Sequence, residues 1–285
     1  MRTAIAAAAK ILADAGIDSA MVDAEQLAAH LTGVDRGRLR FLDAPTAEFT
    51  ARYAELVGAR ARRIPLQHLT GTAAFGPLTL QVGPGVFIPR PETEALYEWA
   101  TTVIDGPDPL FVDLCTGSGA LAVALSRLRP DATVIAVDDS AAALRYAARN
   151  ADGTSVRLVE ADVTVAGLLP ELDGRVDLLV ANPPYIPDDA VLEPEVAEHD
   201  PHHALFGGPD GMVVVDAIVG LAGRWLRPAG RVAIEHDDTT SQATVESFRA
   251  TGLFADITAH RDLAGRPRFV TAVRNTDPVS ENERP

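Results

Sequence analysis

LFVDLCTGSGALA, residues 110–122, joins two secondary-structure patterns through a glycine-rich turn. Residues 110–114 are apolar apart from Asp113, as in a strand buried on both faces, and Ser118 to Leu128 has the length and composition of a helix. The spacing Gly117-x-Gly119-x-x-Ala122 puts small residues where the backbone must turn tightly and let a ligand reach the first N–H groups of that helix. The alternation continues downstream. TVIAVD (133–138), VRLVEAD (156–162), VDLLVA (176–181) and RVAIEH (231–236) read as strands, with helix patterns at 140–150 and 213–226. A helix over 240–250 precedes FADITAH (254–260) and RFVTAVR (268–274), whose short Gly265-Arg266-Pro267 connection forces antiparallel pairing. Such strands require a mostly parallel sheet covered on both faces, a Rossmann-like α/β architecture of seven strands with an antiparallel last strand.

Towards the N-terminus the texture changes. From Arg2 to Arg63 apolar residues recur at helical spacing (Ile5, Ala8, Ile11, Leu12; then Val22, Leu27, Leu31), and Pro45-Thr46 opens a further helix through Tyr53 and Leu56. This predicts a small N-terminal helical domain over 1–64. LQHLTG and TAAFGPLTLQVGPGVFIPRPETE, with short runs broken by Gly and Pro, read as a β-hairpin connector over 65–92. The sheet domain is expected over 93–275 and a disordered polar tail over 276–285.

Composition narrows the function. The 285 residues are 47% hydrophobic and 23% charged, as in ordinary globular proteins, and no apolar stretch approaches a membrane span. Asp14 falls too early for a secretory leader, so a cytoplasmic protein with no membrane partner is expected. The single Cys115 excludes an internal disulfide framework and a Cys-rich zinc site, and no metal site is expected. The formal charge is −15, divided as +1 over residues 1–75 and −16 over the remainder. That balance disfavours direct binding to nucleic acid, which depends on Lys and Arg displacing counterions.

Two motifs carry chemistry. The glycine turn with Asp138 at the end of the second strand fits a site for an adenosine-containing cofactor, and by itself also matches a dinucleotide fingerprint. Cys115 within it reads as a small packing residue. The fourth strand runs into Asn182-Pro183-Pro184-Tyr185, at the sheet edge where α/β proteins bind ligands. Asn182 offers a side-chain carbonyl, the prolines stiffen the turn and leave their carbonyls free to accept, and Tyr185 offers a flat face. Two acceptors beside a platform suit a planar NH₂ group, orienting it and favouring the positive charge that grows as its nitrogen attacks an electrophilic carbon. Together the two motifs resemble the signature of class I S-adenosylmethionine methyltransferases acting on amino nitrogens.

Five segments extend the match: 65–71 (PLQHLTG), 86–94 (VFIPRPETE), 113–119 (DLCTGSG), 182–187 (NPPYIP) and 201–211 (PHHALFGGPDG). In this order they resemble the HemK/PrmC family, the glutamine N5-methyltransferases of peptide chain release factors. The resemblance implies methyl transfer from S-adenosylmethionine, leaving S-adenosylhomocysteine, to the glutamine of the class I release factors' Gly-Gly-Gln motif, which modulates translation termination. It implies a helical domain that helps grip the release factor, and the expected state is a monomer. Carried over by position, Cys115, Thr116, Gly117, Ser118 and Gly119 lie along the methionine part of the cofactor, Asp138 takes the ribose hydroxyls, and Asp162 and Val163 flank the adenine. Asn182 and the Pro183 carbonyl hold the glutamine amide, with Pro184 and Tyr185 shaping the pocket; Asn182, Pro183 and Tyr185 are the expected catalytic set. Two departures stand out. The family usually has Gly at Cys115, and Glu235-His236-Asp237-Asp238 replaces its more usual Glu-Ile-Gly.

Two other readings are compatible with parts of this pattern: an amino-methyltransferase acting on adenine or cytosine in nucleic acid, and a non-catalytic module that binds release factors. Of the remaining features, Arg90 in Phe87-Ile-Pro-Arg90-Pro-Glu92 reads as a cation meeting a carboxylate or as part of a plain hairpin exit. Arg60, Arg62 and Arg63 read as a docking patch or a solvated helix end. His199, His202 and His203 read as a substrate loop or surface. Glu193, Glu195, Glu198 and Asp200 read as an acidic face for a basic partner loop or as a solvated loop.

Overall fold

The computed structural model describes residues 1–262 and 264–276, so the segment expected as a tail lies, apart from Thr276, outside the described residues. The chain divides into two compact units. The first comprises residues 1–72, 82–84 and 192–199, and the second 73–81, 85–191 and 200 onward.

The first unit contains α1 (Arg2–Asp14), α2 (Ala20–Thr32), α3 (Ala47–Ala61) and α4 (Leu66–Thr70). Ile5, Leu12, Leu27, Tyr53, Val57 and Leu66 form its core. α4 lies where the sequence suggested a strand: Pro65 precedes the turn and Gly71 closes it at φ 73°, a left-handed stop that glycine adopts without strain. Arg60 is not a solvated helix end. Its side chain is 6% exposed, meets Asp23 at 2.7 Å and Glu195 at 3.1 Å, and Arg63 reaches the same Glu195 carboxylate at 3.0 Å. Glu195 is therefore committed to an ion-pair network and is not part of a free acidic face. Its carboxyl, raised by partial burial, is brought below the ordinary value by Arg63 and Arg60.

The second unit takes up the hairpin of β1 (Thr72–Phe75) and β2 (Leu78–Gln81) from Ala73 on, and this hairpin and the helix α5 (Thr93–Val103) precede an alternating series. The series runs β3 (Leu110–Leu114), α6 (Ala120–Leu128), β4 (Thr133–Asp138), α7 (Ala141–Asn150), β5 (Val156–Glu160) and β6 (Val176–Ala181). After the short helix α8 (Pro194–His199), which belongs to the first unit, come α9 (Val213–Trp225), β7 (Leu226–Glu235), α10 (Ser241–Thr251), β8 (Phe254–Arg261) and β9 (Pro267–Arg274). The seven strands are ordered β5-β4-β3-β6-β7-β9-β8. All neighbours are parallel except those of β9, which is antiparallel to β7 and β8.

Alternate residues of the buried strands feed two cores, one on each face. Phe75, Leu96, Leu121 and Leu125 cover Phe111 and Leu178 on one side; Ile218, Trp225 and Phe248 cover Val112, Leu179 and Val232 on the other. Each such large side chain contributes on the order of 3 kcal/mol through burial. The order of strands reverses between β3 and β6, the position at which α/β sheets open a crevice beyond their carboxyl ends.

Candidate active site

The glycine turn leaves β3 at Leu114. The Thr116 N–H donates to the Val137 carbonyl and the Gly119 N–H to the Thr116 carbonyl. Cys115, Gly117 and Gly119 all lie in the left-handed region, at φ 57°, 56° and 84°. The last of these places the start of α6 at Ala120, two residues beyond the Ser118 start read from sequence. Asp113 is buried beneath the turn, and its Oδ2 accepts from the Thr116 hydroxyl at 2.5 Å and the Ala122 N–H at 3.0 Å. Burial pushes this carboxyl up to about 7, against those two bonds. Its Oδ1 is buried with no hydrogen-bond partner. The Cys115 thiol is raised well above its ordinary value by burial and by Asp138, so it stays protonated at neutral pH.

Asp138, at the end of the adjacent strand, accepts from the Gly117 N–H at 2.8 Å and from the Ser140 N–H at 2.9 Å. Its carboxyl is raised by burial, with these two bonds opposing. Asp162 follows β5, is exposed, and accepts twice from Thr164; Val163 is buried in the core. A residue that the sequence did not single out steadies the turn from behind. Asn150, at the end of α7, donates to the Ser118 carbonyl and exchanges two bonds with the backbone of Gln81 in β2. Its place at a helix terminus had an ordinary local explanation, which hid the role.

The residue types in the turn fit a nucleoside-bearing cofactor. A Cβ at Gly117 would meet nothing within 4 Å, Asp138 keeps unused lone pairs, and Asp113 carries a buried acceptor without a partner.

On the neighbouring strand, Ala181 pairs with Leu114 and leads into Asn182-Pro183-Pro184-Tyr185. Asn182 Nδ2 donates to the Thr93 hydroxyl at 3.1 Å. Thr93 is buried at the first position of α5, within the segment VFIPRPETE. The Tyr185 hydroxyl is turned inward and donates to Glu235 Oε1 at 3.0 Å. Glu235 is 1% exposed. Burial pushes its carboxyl up to about 7, the Thr93 and Tyr185 hydroxyls and the Arg268 charge hold it down, and Glu92 adds to the rise.

The loop carrying the tetrad is braced by the segment ALFGGPDG (204–211). Ile186 N–H donates to Leu205 O and Gly207 N–H to Ile186 O, both at 2.9 Å, and Asp188 N–H donates to Gly208 O at 3.1 Å. A Cβ on Gly207 would fall 2.5 Å from the Pro184 carbonyl oxygen, and one on Gly211 only 2.2 Å from that of Tyr185. Those glycines let two backbones touch.

Several of the remaining sequence candidates have structural partners. Arg90 meets Asp200 at 2.5 Å and lies over the Phe87 ring; Asp200, with its side chain 2% exposed, is not on a solvated face. His202 stacks on Phe206. His236 is fully buried with its Nδ1 2.8 Å from the Asp237 carbonyl, and burial lowers its pKa, so the departure after β7 forms a tight turn around a neutral imidazole. Among the described residues no group of three or more His, Cys, Asp or Glu is placed to hold a metal ion, and no helix is long and apolar enough to cross a membrane.

Comparison with known proteins adds to this geometry. The PrmC N-terminal domain family matches residues 3–71, and the Methyltransferase small domain family matches residues 101–199. The chain is 66% identical over 278 residues to a release factor glutamine methyltransferase of Mycobacterium tuberculosis (strain ATCC 25618 / H37Rv), covering 96% of this chain and 91% of that protein. The chain belongs to the release factor glutamine methyltransferase family. It is also 39% identical over 274 residues to a 4-amino-L-phenylalanine/4-methylamino-L-phenylalanine methyltransferase of Streptomyces pristinaespiralis, covering 93% of this chain and 91% of that one. Among solved structures, a methyltransferase from Pyrococcus furiosus matches with TM-score 0.51 at 18% identity, over 71% of this chain and 91% of its own, which shows the fold alone. Membership of the glutamine methyltransferase family makes the chain an enzyme.

Proposed function

We propose that this enzyme transfers a methyl group from S-adenosylmethionine to the side-chain amide nitrogen of the glutamine in the Gly-Gly-Gln motif of class I release factors. One observation carries the reading: the glycine turn and the Asn-Pro-Pro-Tyr corner leave paired positions, Leu114 and Ala181, of two adjacent parallel strands. Strands so paired are about 4.8 Å apart, so a cofactor along the turn and an NH₂ group at the corner share one crevice.

Cys115 through Gly119 would hold the amino-acid part of the cofactor, Asp138 its ribose, and Asp162 with Val163 its adenine edge. When bound, the cofactor supplies an electrophilic methyl on a sulfonium and leaves as the thioether S-adenosylhomocysteine. The chain's own residues do the positioning. Asn182 Oδ1 and the Pro183 carbonyl accept the two amide N–H bonds, fixing the plane of the nitrogen and stabilising its developing positive charge. Tyr185 and Pro184 keep those acceptors in place. The proton shed by the alkylated nitrogen is acidic enough to pass to water, so no strong base is required.

Both acceptors named for the relatives, a glutamine and 4-amino-L-phenylalanine, offer an NH₂ group whose lone pair is delocalised. The identity of 66% against 39% favours the release factor. The net charge of −15 disfavours a nucleic-acid acceptor. Incubation with methyl-labelled S-adenosylmethionine and either release factor or DNA tests the reading. Label is expected in the glutamine-bearing peptide of the release factor; label in DNA, or in neither, overturns it. Asn182→Ala should lower kcat about 100-fold while cofactor affinity changes little.

A further inference from the structure

An asparagine amide is a useful acceptor only if its oxygen, not its nitrogen, faces the substrate. The two ends have similar shape, so something must choose between them. In this chain the choice is made behind the site. Thr93 Oγ1 lies 3.1 Å from Asn182 Nδ2, yet a hydroxyl is ambivalent: it can accept from the amide NH₂ or donate to the amide oxygen. The ambiguity is removed by Glu235. This carboxylate is 1% exposed and takes a bond from Tyr185 on Oε1; the Thr93 hydroxyl stands close enough to help hold its carboxyl down, and no other hydrogen bond on the buried Oε2 competes for the Thr93 proton.

We propose that Glu235 and Thr93 are positioning residues that set the direction of the Asn182 amide: the carboxylate draws the Thr93 proton, the Thr93 oxygen then accepts from Asn182 Nδ2, and Asn182 Oδ1 is left facing the acceptor nitrogen. The same carboxylate holds Tyr185, so one buried anion orients both ends of the tetrad. Its charged neighbours are Arg268, which favours the anion, and Glu92, which disfavours it, with the hydroxyls of Thr93 and Tyr185 completing the surroundings. The inference also gives the threonine of VFIPRPETE a chemical reason to be there.

It rests on the function proposed above, and the test separates the two. Methylation of a release factor is measured as kcat and KM for wild type, Thr93→Val, Thr93→Ser and Glu235→Gln, with cofactor affinity by calorimetry as a check on folding. Valine keeps the volume of threonine and removes the hydroxyl; about a tenfold or larger fall in kcat is expected, with KM and cofactor affinity nearly unchanged. Serine should restore most of the activity. In an Asn182→Ala background Thr93→Val should cost nothing further, because there is no longer an amide to orient. Glu235→Gln offers an NH₂ that can push the Thr93 proton towards Asn182, so kcat should fall similarly and its loss at acid pH should vanish. If Thr93→Val fails to bind cofactor, Glu235→Gln carries the same test. Wild type without release factor methylation overturns the function and this inference with it. Wild-type methylation that Thr93→Val or Glu235→Gln leaves unchanged, or an undiminished effect of Thr93→Val in the Asn182→Ala background, overturns the inference alone.

Discussion

At the scale of single residues, Cys115 shows a side chain imposed on a glycine's conformation. Its φ of 57° is the left-handed value that a non-glycine residue adopts at a cost of about 1–2 kcal/mol. Alanine would remove the sulfur and keep that strain, whereas glycine removes both. Ordinarily alanine is the more stabilising of the two by about 0.5–1 kcal/mol, through the unfolded chain. Here the order should invert, with Cys115→Gly melting about 2–4 °C above Cys115→Ala in a thermal scan; equal midpoints, or alanine above glycine, would show that the turn is relaxed. Tyr185 and Asn182 were visible as chemistry in the sequence because their residue types and spacing are specific. Their orientation was not, since it depends on Thr93 and Glu235, which are 89 and 50 residues away in the chain from Asn182 and Tyr185 respectively. Arg60, read as part of a docking patch or as a solvated helix end, hid its partner for the same reason: Asp23 lies 37 positions earlier.

At the scale of elements, the strands of the sheet were legible because buried parallel strands are long apolar runs, and the antiparallel placement of β9 followed from the short turn before it. What escaped has equally physical reasons. α4 has five residues, too few to show a helical period, and β7 begins at Leu226 through Arg227-Pro228-Ala229-Gly230, a stretch whose proline and glycine disguise it. The expected helix end at 226 is instead the first strand residue. The use of ALFGGPDG was also out of reach, since a glycine pair looks like any loop until the backbone opposite is known. That contact yields a test. Gly211→Ala combines a φ of 76° with a methyl 2.2 Å from the Tyr185 carbonyl, so the loop bearing the tetrad must shift. Because a misplacement near 1 Å costs about 100-fold in rate, kcat should fall by about that much. Gly252→Ala is the matched comparison: its φ is 65° and a Cβ there meets nothing within 4 Å. It should lose about 1 kcal/mol of stability with kcat intact, and a Gly211→Ala enzyme as active as Gly252→Ala would show that the two loops are not tightly coupled.

At the scale of the whole molecule, two buried carboxyls set stability and activity against each other. Asp113 under the cofactor turn and Glu235 behind the tetrad both titrate at about 7 in the folded chain, against ordinary values of 3.8 and 4.5. Between those limits the folded state holds more protons than the unfolded one, so the slope of unfolding free energy with pH is negative and stability falls as pH rises towards 7. Self-repulsion from a net charge of −15 acts in the same direction. His236 and His260 act oppositely. Burial depresses both below 6.5, so acidification past that value favours the unfolded chain, which protonates first. The clean interval is therefore pH 8 to 6.5, over which the thermal midpoint should rise as pH is lowered. Methylation should decline over the same interval, because a protonated Glu235 no longer draws the Thr93 proton. Differential scanning calorimetry and initial rates on one buffer series measure both; Glu235→Gln should flatten the rate curve and only reduce the slope of the stability curve, because Asp113 still titrates there. A midpoint that falls on going from pH 8 to 6.5, or a rate that stays level in wild type, would mean that these carboxyls are ionised throughout and that the buried anion is stabilised by more than Arg268, Thr93 and Tyr185.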